Sequence, residues 1–210
     1  MRLAISRLLR MANPLFDKES RNAFLGGNSQ GSKSMKSEDY QRNLVFQNTN
    51  VECKKINGYR INQRFNYMEI KHAPLKDFYG FDYTEDFDGI QVIGNKKVFV
   101  NFKNICGKGG SQTRSMREVY HFIDAQCRGL SNFNNGSILL FDNNGMTAMT
   151  DVYFANILDG DVIEQNFDKY KYLFMHHPIE TCDRIYVGTS EGYKEWFEKN
   201  IYNNQDAKQF

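Results

Sequence analysis

A chain of 210 residues with 27 lysines and arginines against 25 aspartates and glutamates carries a net charge of only +2. Bulk charge therefore does not mark a nucleic-acid binder, and any such role needs locally clustered basic side chains. The length suits one domain with an appended arm, and 40% hydrophobic residues with 17 phenylalanines suffice for a core.

Cys53, Cys106, Cys127 and Cys182 stand far apart with no CxxC pair, against a zinc site or a disulfide frame. Their scatter fits reduced thiols in an intracellular protein, cytoplasmic or nuclear. No run of about 18 apolar residues is present to span a membrane, so no membrane partner is expected.

In chain order, MRLAISRLLRM at the start is basic, acid-free and amphipathic. It has the pattern of a targeting helix. An arm, or a leader before a second start at Met11, is the favoured alternative. Pro14 to Leu25 suits a short helix. Gly26 to Ser37 (GGNSQGSKSMKS) has the composition of a glycine/serine linker. Residues 1–40 are thus expected to be a flexible arm and 41–210 the folded domain. YQRNLVFQ (Tyr40 to Gln47) suits helix or strand equally.

From Tyr59 to Ile105 the pattern turns β-like. FDGIQVIGNKKVFVNFKNI predicts a hairpin: Gly89 to Ile93, a turn at Gly94-Asn95-Lys96, then Lys97 to Ile105. Period two sets Val98, Val100 and Phe102 on one face and Phe99, Asn101 and Lys103 on the other. A helix should follow from about Gln112 to Gln126, with Met116, Val119, Tyr120 and Ile123 as its apolar stripe. SILLF and DVYFANIL read as strands joined by a turn at Asn144-Gly145. YKYLFMH is ambiguous. DRIYVGTS reads as a strand, and Thr189 or Ser190 caps a final helix. The expected fold is α/β (α+β): a single domain with one central mixed β-sheet flanked by helices.

Polar residues crowd the hairpin. EDFDGI sets Asp86 and Asp88 on one face of its strand, and VNFKN sets Asn101 and Lys103 on one face of the next. Pairing the strands brings acids and lysine to one end of the sheet. Metal-dependent phosphodiester hydrolysis uses such a set. Hard oxygen ligands from Asp86, Asp88 and Asn101 suit Mg²⁺, which takes few protein ligands. The ion stabilises charge on the phosphate and activates water, and a lysine orients that water. Lys108, Arg114 and Arg117 lie at the helix start, where cations and exposed amides grip phosphate.

These residues resemble the PD-(D/E)XK nuclease superfamily, the restriction-endonuclease-like group, over roughly Gly80 to Gln126. That superfamily sets an aspartate at a strand start, an acid-x-lysine triplet on the next strand, and a helix often bearing an early glutamine. The resemblance implies that Asp88 is the aspartate, Lys103 the lysine and Gln112 the glutamine. It implies a Mg²⁺-dependent endonuclease acting on DNA, often a homodimer so that both strands are cut. GGSQTRSMREVYHF is similar to the glycine-then-helix passage of several such enzymes.

The triplet departs from the pattern, reading Asn101-Phe102-Lys103. Asn101 is then a neutral, weaker ligand, or the acid has moved to the following helix, with Glu118 as candidate, or the site is inactive. Glu69-Ile70-Lys71 matches acid-x-lysine literally but lacks a suitable upstream aspartate and is followed by His72-Ala73-Pro74. Gly107-Lys108-Gly109-Gly110 lacks P-loop spacing. The His176-His177 pair is not enough for a metal site. Two alternatives stay open: an inactive nucleic-acid-binding domain of the same fold, and a structural or interaction protein.

Overall fold

Strand alternation and one strongly amphipathic helix dominate the computed structural model, which describes residues 32–62, 67–70, 85–105, 110–132, 137–160 and 167–202. Helix α1 (Ser32–Thr49) leads into a short strand, β1 (Lys54–Lys55). Strands β2 (Tyr59–Asn62), β3 (Tyr67–Ile70), β4 (Gly89–Ile93) and β5 (Lys96–Ile105) precede the long helix α2 (Gly110–Asn132). Strands β6 (Ile138–Asp142), β7 (Gly145–Met149) and β8 (Val152–Gly160) follow. Helices α3 (Phe167–Phe174) and α4 (Ile179–Cys182), strand β9 (Ile185–Gly188) and helix α5 (Ser190–Phe197) complete the order. A wider helical turn, Glu198–Tyr202, extends α5.

The mixed α/β class and a central mixed sheet flanked by helices are as expected; a second, smaller sheet stands beside it that the sequence did not announce. The larger runs β1-β4-β5-β8-β9 and the smaller β2-β3-β6-β7. In the larger sheet β1, β4 and β5 are antiparallel, while β8 runs parallel to β5 and β9 parallel to β8. The predicted β4–β5 hairpin is present, with Gly94 at a φ of 57° in its turn, where a side chain would be strained. The turn before Gly145 does not lead straight into β8. It leads into β7, which folds back antiparallel on β6 and joins the second sheet.

Both faces of β5 are buried, which explains its nearly continuous apolar run. Val98, Val100 and Phe102 pack with Tyr153, Ala155 and Ile157 of β8, Val45 of α1, and Tyr193 and Phe197 of α5. Phe99 packs on the opposite face with Phe154 of β8 and with Val119, Phe122 and Ile123 of α2. That second cluster also takes Ile61, Met68, Ile138 and Met149 from the smaller sheet. Helix α2 buries the predicted Met116, Val119 and Ile123, and beyond them Phe122, Ala125, Cys127 and Leu130. Each fully buried phenylalanine or leucine contributes roughly 2–3 kcal/mol.

Three local readings change. Helix α1 starts at Ser32, inside the stretch whose glycine and serine content suggested a linker, so the folded part begins before residue 41. Tertiary partners hold it: Val45 enters the core, and Gln41 donates to Asp159 Oδ2 at 2.9 Å. The ambiguous YKYLFMH contributes to helix α3. At α5, Thr189 occupies the cap position but makes no side-chain cap bond. Asp159, at the end of β8, caps the helix instead, accepting from Ser190 N at 2.9 Å and Ser190 Oγ at 3.1 Å. Cys53, Cys127 and Cys182 are free thiols, and Cys106 lies outside the described residues. No helix among the described residues is long and apolar enough to cross a membrane.

Candidate active site

The β4–β5 ladder slips by one residue at its open end. Gly89 pairs with Val100, yet Asp88 N also donates to the Val100 carbonyl at 2.9 Å. Two residues thus face one, which is the pattern of a bulge. Upstream, the chain is drawn toward the smaller sheet: Phe87 N donates to the Tyr59 carbonyl at 2.7 Å, and Asp86 bridges Arg60. Asp86 and Asp88 therefore precede β4 rather than share a strand face within it.

The slip leaves the Phe102 amide without a ladder carbonyl. Asp88 Oδ2 takes that place, accepting the amide at 2.7 Å. The Asp88 backbone is held as well, since its carbonyl accepts from Arg42 Nη1 at 3.1 Å while Arg42 Nη2 bonds Asp39. Burial pushes the Asp88 carboxyl up to about 6. The Phe102 amide and the Lys103 charge pull it down, and the charges of Glu38 and Glu85 push it further up.

Lys103 Nζ lies 2.6 Å from Glu85 Oε2. Glu85 is 8% exposed, and the Lys103 side chain 24%. Glu85 was not among the residues selected from the sequence. Continuing the hairpin register without a slip sets Asp86, not Glu85, opposite Lys103. The only signal in the sequence was Glu85's place two residues before Phe87, a period-two partner of a core aromatic.

Asn101 is fully buried beside Asn156 of β8, and neither its amide nitrogen nor its amide oxygen has a hydrogen-bond partner. Asn156 is satisfied: it exchanges two bonds with Gln126 of α2, at 2.8 and 2.9 Å, and donates to the Tyr186 carbonyl. Strand alternation sets Asn101 on the face of Lys103, one side-chain position away.

The remaining candidates are placed as follows. Gln112 and Arg114 belong to the first turns of α2, but their side chains lie outside the described residues, as does all of Lys108. Arg117 is exposed and Glu118 half-buried on α2. Glu69 and Ile70 of the rival triplet sit on β3 in the smaller sheet, and Lys71 is outside the described residues. His177 Nδ1 lies 3.2 Å from Ser131 Oγ, and the His176 ring lies against Tyr172.

No group of three or more histidine, cysteine or carboxylate side chains among the described residues is arranged to hold a metal. Mg²⁺ does not require such a cage, since one or two carboxylates with waters suffice. The desolvated carboxylate of Asp88 and the unpartnered, buried amide oxygen of Asn101 are hard oxygens of the kind it takes, so these residues fit that ion.

No family model matches the chain, and no curated protein or solved structure gives a significant match.

Proposed function

We propose that this domain is a Mg²⁺-dependent endonuclease that hydrolyses DNA phosphodiester bonds. The observation that carries this function is the meeting of Asp88, Glu85 and Lys103 at the slipped end of the β4–β5 hairpin, directly before helix α2. The order of β4, β5, α2 and parallel β8 supports it, because aspartate, lysine and helix follow in the sequence that the nuclease resemblance requires.

Asp88 and Asn101 would hold the ion, which supplies positive charge against the phosphate and acidifies water. Lys103 orients the attacking water and offsets charge on the scissile phosphate. Gln112 would take the supporting role that the resemblance gives to the helix glutamine. Lys108, Arg114 and Arg117 bind the DNA backbone, and their cations set its position rather than its sequence. Two copies of the chain would cut the two strands.

The unpartnered Asn101 at the triplet position favours one second function, a domain of the same fold that binds DNA without cutting it. Incubating supercoiled plasmid with the purified chain in Mg²⁺, Mn²⁺ or chelator, beside Lys103→Ala, separates the two. Metal-dependent cleavage that falls by about 100-fold or more in the variant is the expected result. Binding at moderate salt with no cleavage in either metal establishes the second function. Absence of both leaves the junction as architecture.

A further inference from the structure

We infer that the seam between helices α2 and α3, built from Tyr120, Lys169 and Tyr170, grips a phosphate of bound DNA; the inference rests on the DNA substrate proposed above, not on cleavage. Tyr120 stands at the edge of the buried stripe of α2, and Tyr170 of α3 packs against it with ring centroids 6.1 Å apart. Lys169 holds its ammonium over both rings, 5.0 Å from the Tyr170 centroid and 5.8 Å from the Tyr120 centroid. The rings offset part of its desolvation. Lys169 is half-buried, and burial lowers its pKa. A lysine withdrawn from water ordinarily takes a carboxylate, and among the described residues Lys169 has none. The acids of the two helices are engaged elsewhere or turned away. Asp168 bonds Lys171 at 3.1 Å, and Asp124 bonds Arg128 at 3.0 Å. Glu118, two residues before Tyr120, points about 160° from it around α2.

A second observation is independent of charge. Tyr170 is 2% exposed and its hydroxyl has no hydrogen-bond partner, whereas buried hydroxyls ordinarily have one. The seam thus holds a cation without a counter-ion and a donor without an acceptor, and an anionic oxygen supplies what each lacks. A phenol oxygen lies about 3 Å from its ring centre, so Lys169 Nζ and Tyr170 Oη are at most about 8 Å apart, a gap that one phosphate with a hydrogen bond at each end spans. Position favours DNA over a small anion. Helix α2 starts beyond the end of β5 that carries Lys103, and Arg114 and Arg117 precede Tyr120 by two turns and one turn. Arg117 and His121 are exposed on either side of Tyr120. Lys169 therefore continues a row of cations along α2, stepping by about 5 Å per turn, and a polyanion complements the whole row. Aromatic rings set among cations are the surface that nucleic-acid strands take.

The test uses the full chain in chelator, so that binding is read without cleavage. Fluorescence anisotropy with a fluorescein-labelled DNA duplex of mixed sequence gives the affinity across a salt series, and thermal melting checks the fold. Lys169→Met keeps the stem over the rings and removes the charge; it should weaken binding by about fivefold and lower the salt slope by about one. Lys171→Ala, on the same helix but exposed and bound to Asp168, should leave both near wild type. Tyr170→Phe removes only the unbonded hydroxyl and should weaken binding by about threefold with no loss of melting temperature, whereas a merely structural hydroxyl would leave affinity unchanged. If the wild type binds DNA and Lys169→Met binds as tightly with the same slope, the seam is not a contact and the proposed DNA substrate survives. Equal losses in Lys169→Met and Lys171→Ala would reduce the effect to general charge and overturn the seam. If the wild type binds no DNA, both fall together, and binding of labelled polyglutamate that is lost in Lys169→Met would assign the seam to an acidic protein instead. Should Lys169→Met not fold, Lys169→Gln carries the same test.

Discussion

At Asp88 the folded chain binds a proton more tightly than the unfolded chain, because burial moves its carboxyl from 3.8 to about 6. Between those values the native state carries the extra proton, so stability falls as pH rises through the window. The penalty is absent below about 4 and complete above about 6. At ~1.4 kcal/mol per unit the upper bound is about 3 kcal/mol, and water reaching this half-buried group brings it nearer 2. Asp88→Asn keeps an oxygen for the Phe102 amide and removes the charge. It should melt several degrees above the wild type at pH 7.5 and level with it near pH 4, as a melting series across pH will check. Asn101 offers a sharper contrast with its neighbour Asn156. Asn101→Leu removes two unbonded buried atoms and should stabilise by about 1 kcal/mol, whereas Gln126→Leu strips Asn156 of both its exchanged bonds and should cost about 1–3 kcal/mol. Urea titration of the two variants, with opposite shifts in midpoint, is the measurement. Lys103 was legible because strand period and chemistry coincide there, and Asp88 because it stands at the mouth of the predicted hairpin, although it precedes β4 rather than sharing a strand face with Asp86. Glu85 was not, since a one-residue slip reverses which acid faces the lysine, and no local pattern announces it.

Gly89 stands at the same slip. A Cβ there would lie 2.6 Å from Cys53 Sγ and 3.3 Å from the Lys54 carbonyl, so β1 approaches β4 only because the position is bare. Gly89→Ala should cost about 1–3 kcal/mol by overpacking. Cys53→Ala in the same chain should recover part of it, and a double-mutant cycle of melting free energies checks the coupling. Additive losses would mean that β1 is not the obstacle. The elements read best from sequence were β4, β5, α2 and β9, each with a consistent period and a turn or cap signal. Helices α1 and α3 read poorly. In α1 the serines and lysines of Ser32–Ser37 carry no apolar stripe, and the helix is secured by Gln41, Arg42 and Val45 against strands far along the chain. The cap of α5 shows the same dependence, since Asp159 is 31 residues from Ser190.

In the whole molecule, helix α2 serves two sheets, and its wide buried face follows from that position. The smaller sheet has an exposed edge: Met146, Thr147 and Ala148 of β7 face solvent, whereas Val152 to Leu158 of β8 are buried without interruption. Amide exchange should therefore be slowest in β8 and β5 and fastest in β7, with intermediate protection in β6. Comparable protection in β7 would indicate that a further surface covers that edge.

Composition and period alone determined the mixed α/β class, the hairpin turning at Gly94-Asn95, the apolar stripe of α2, and the gathering of Asp88, Asn101 and Lys103 near one end of a strand pair. Each depends on spacing within a few residues, which a sequence states directly. That Lys96 belongs to β5 rather than to the turn was decided by the ladder. The division into two sheets, the bulge at Asp88-Gly89, the bond from Phe102 to Asp88, the Glu85–Lys103 pair and the bare amide of Asn101 were decided only by tertiary structure. They follow from which distant backbone completes a hydrogen-bond ladder and which buried polar atoms find partners. Those are properties of contacts between segments far apart in the chain.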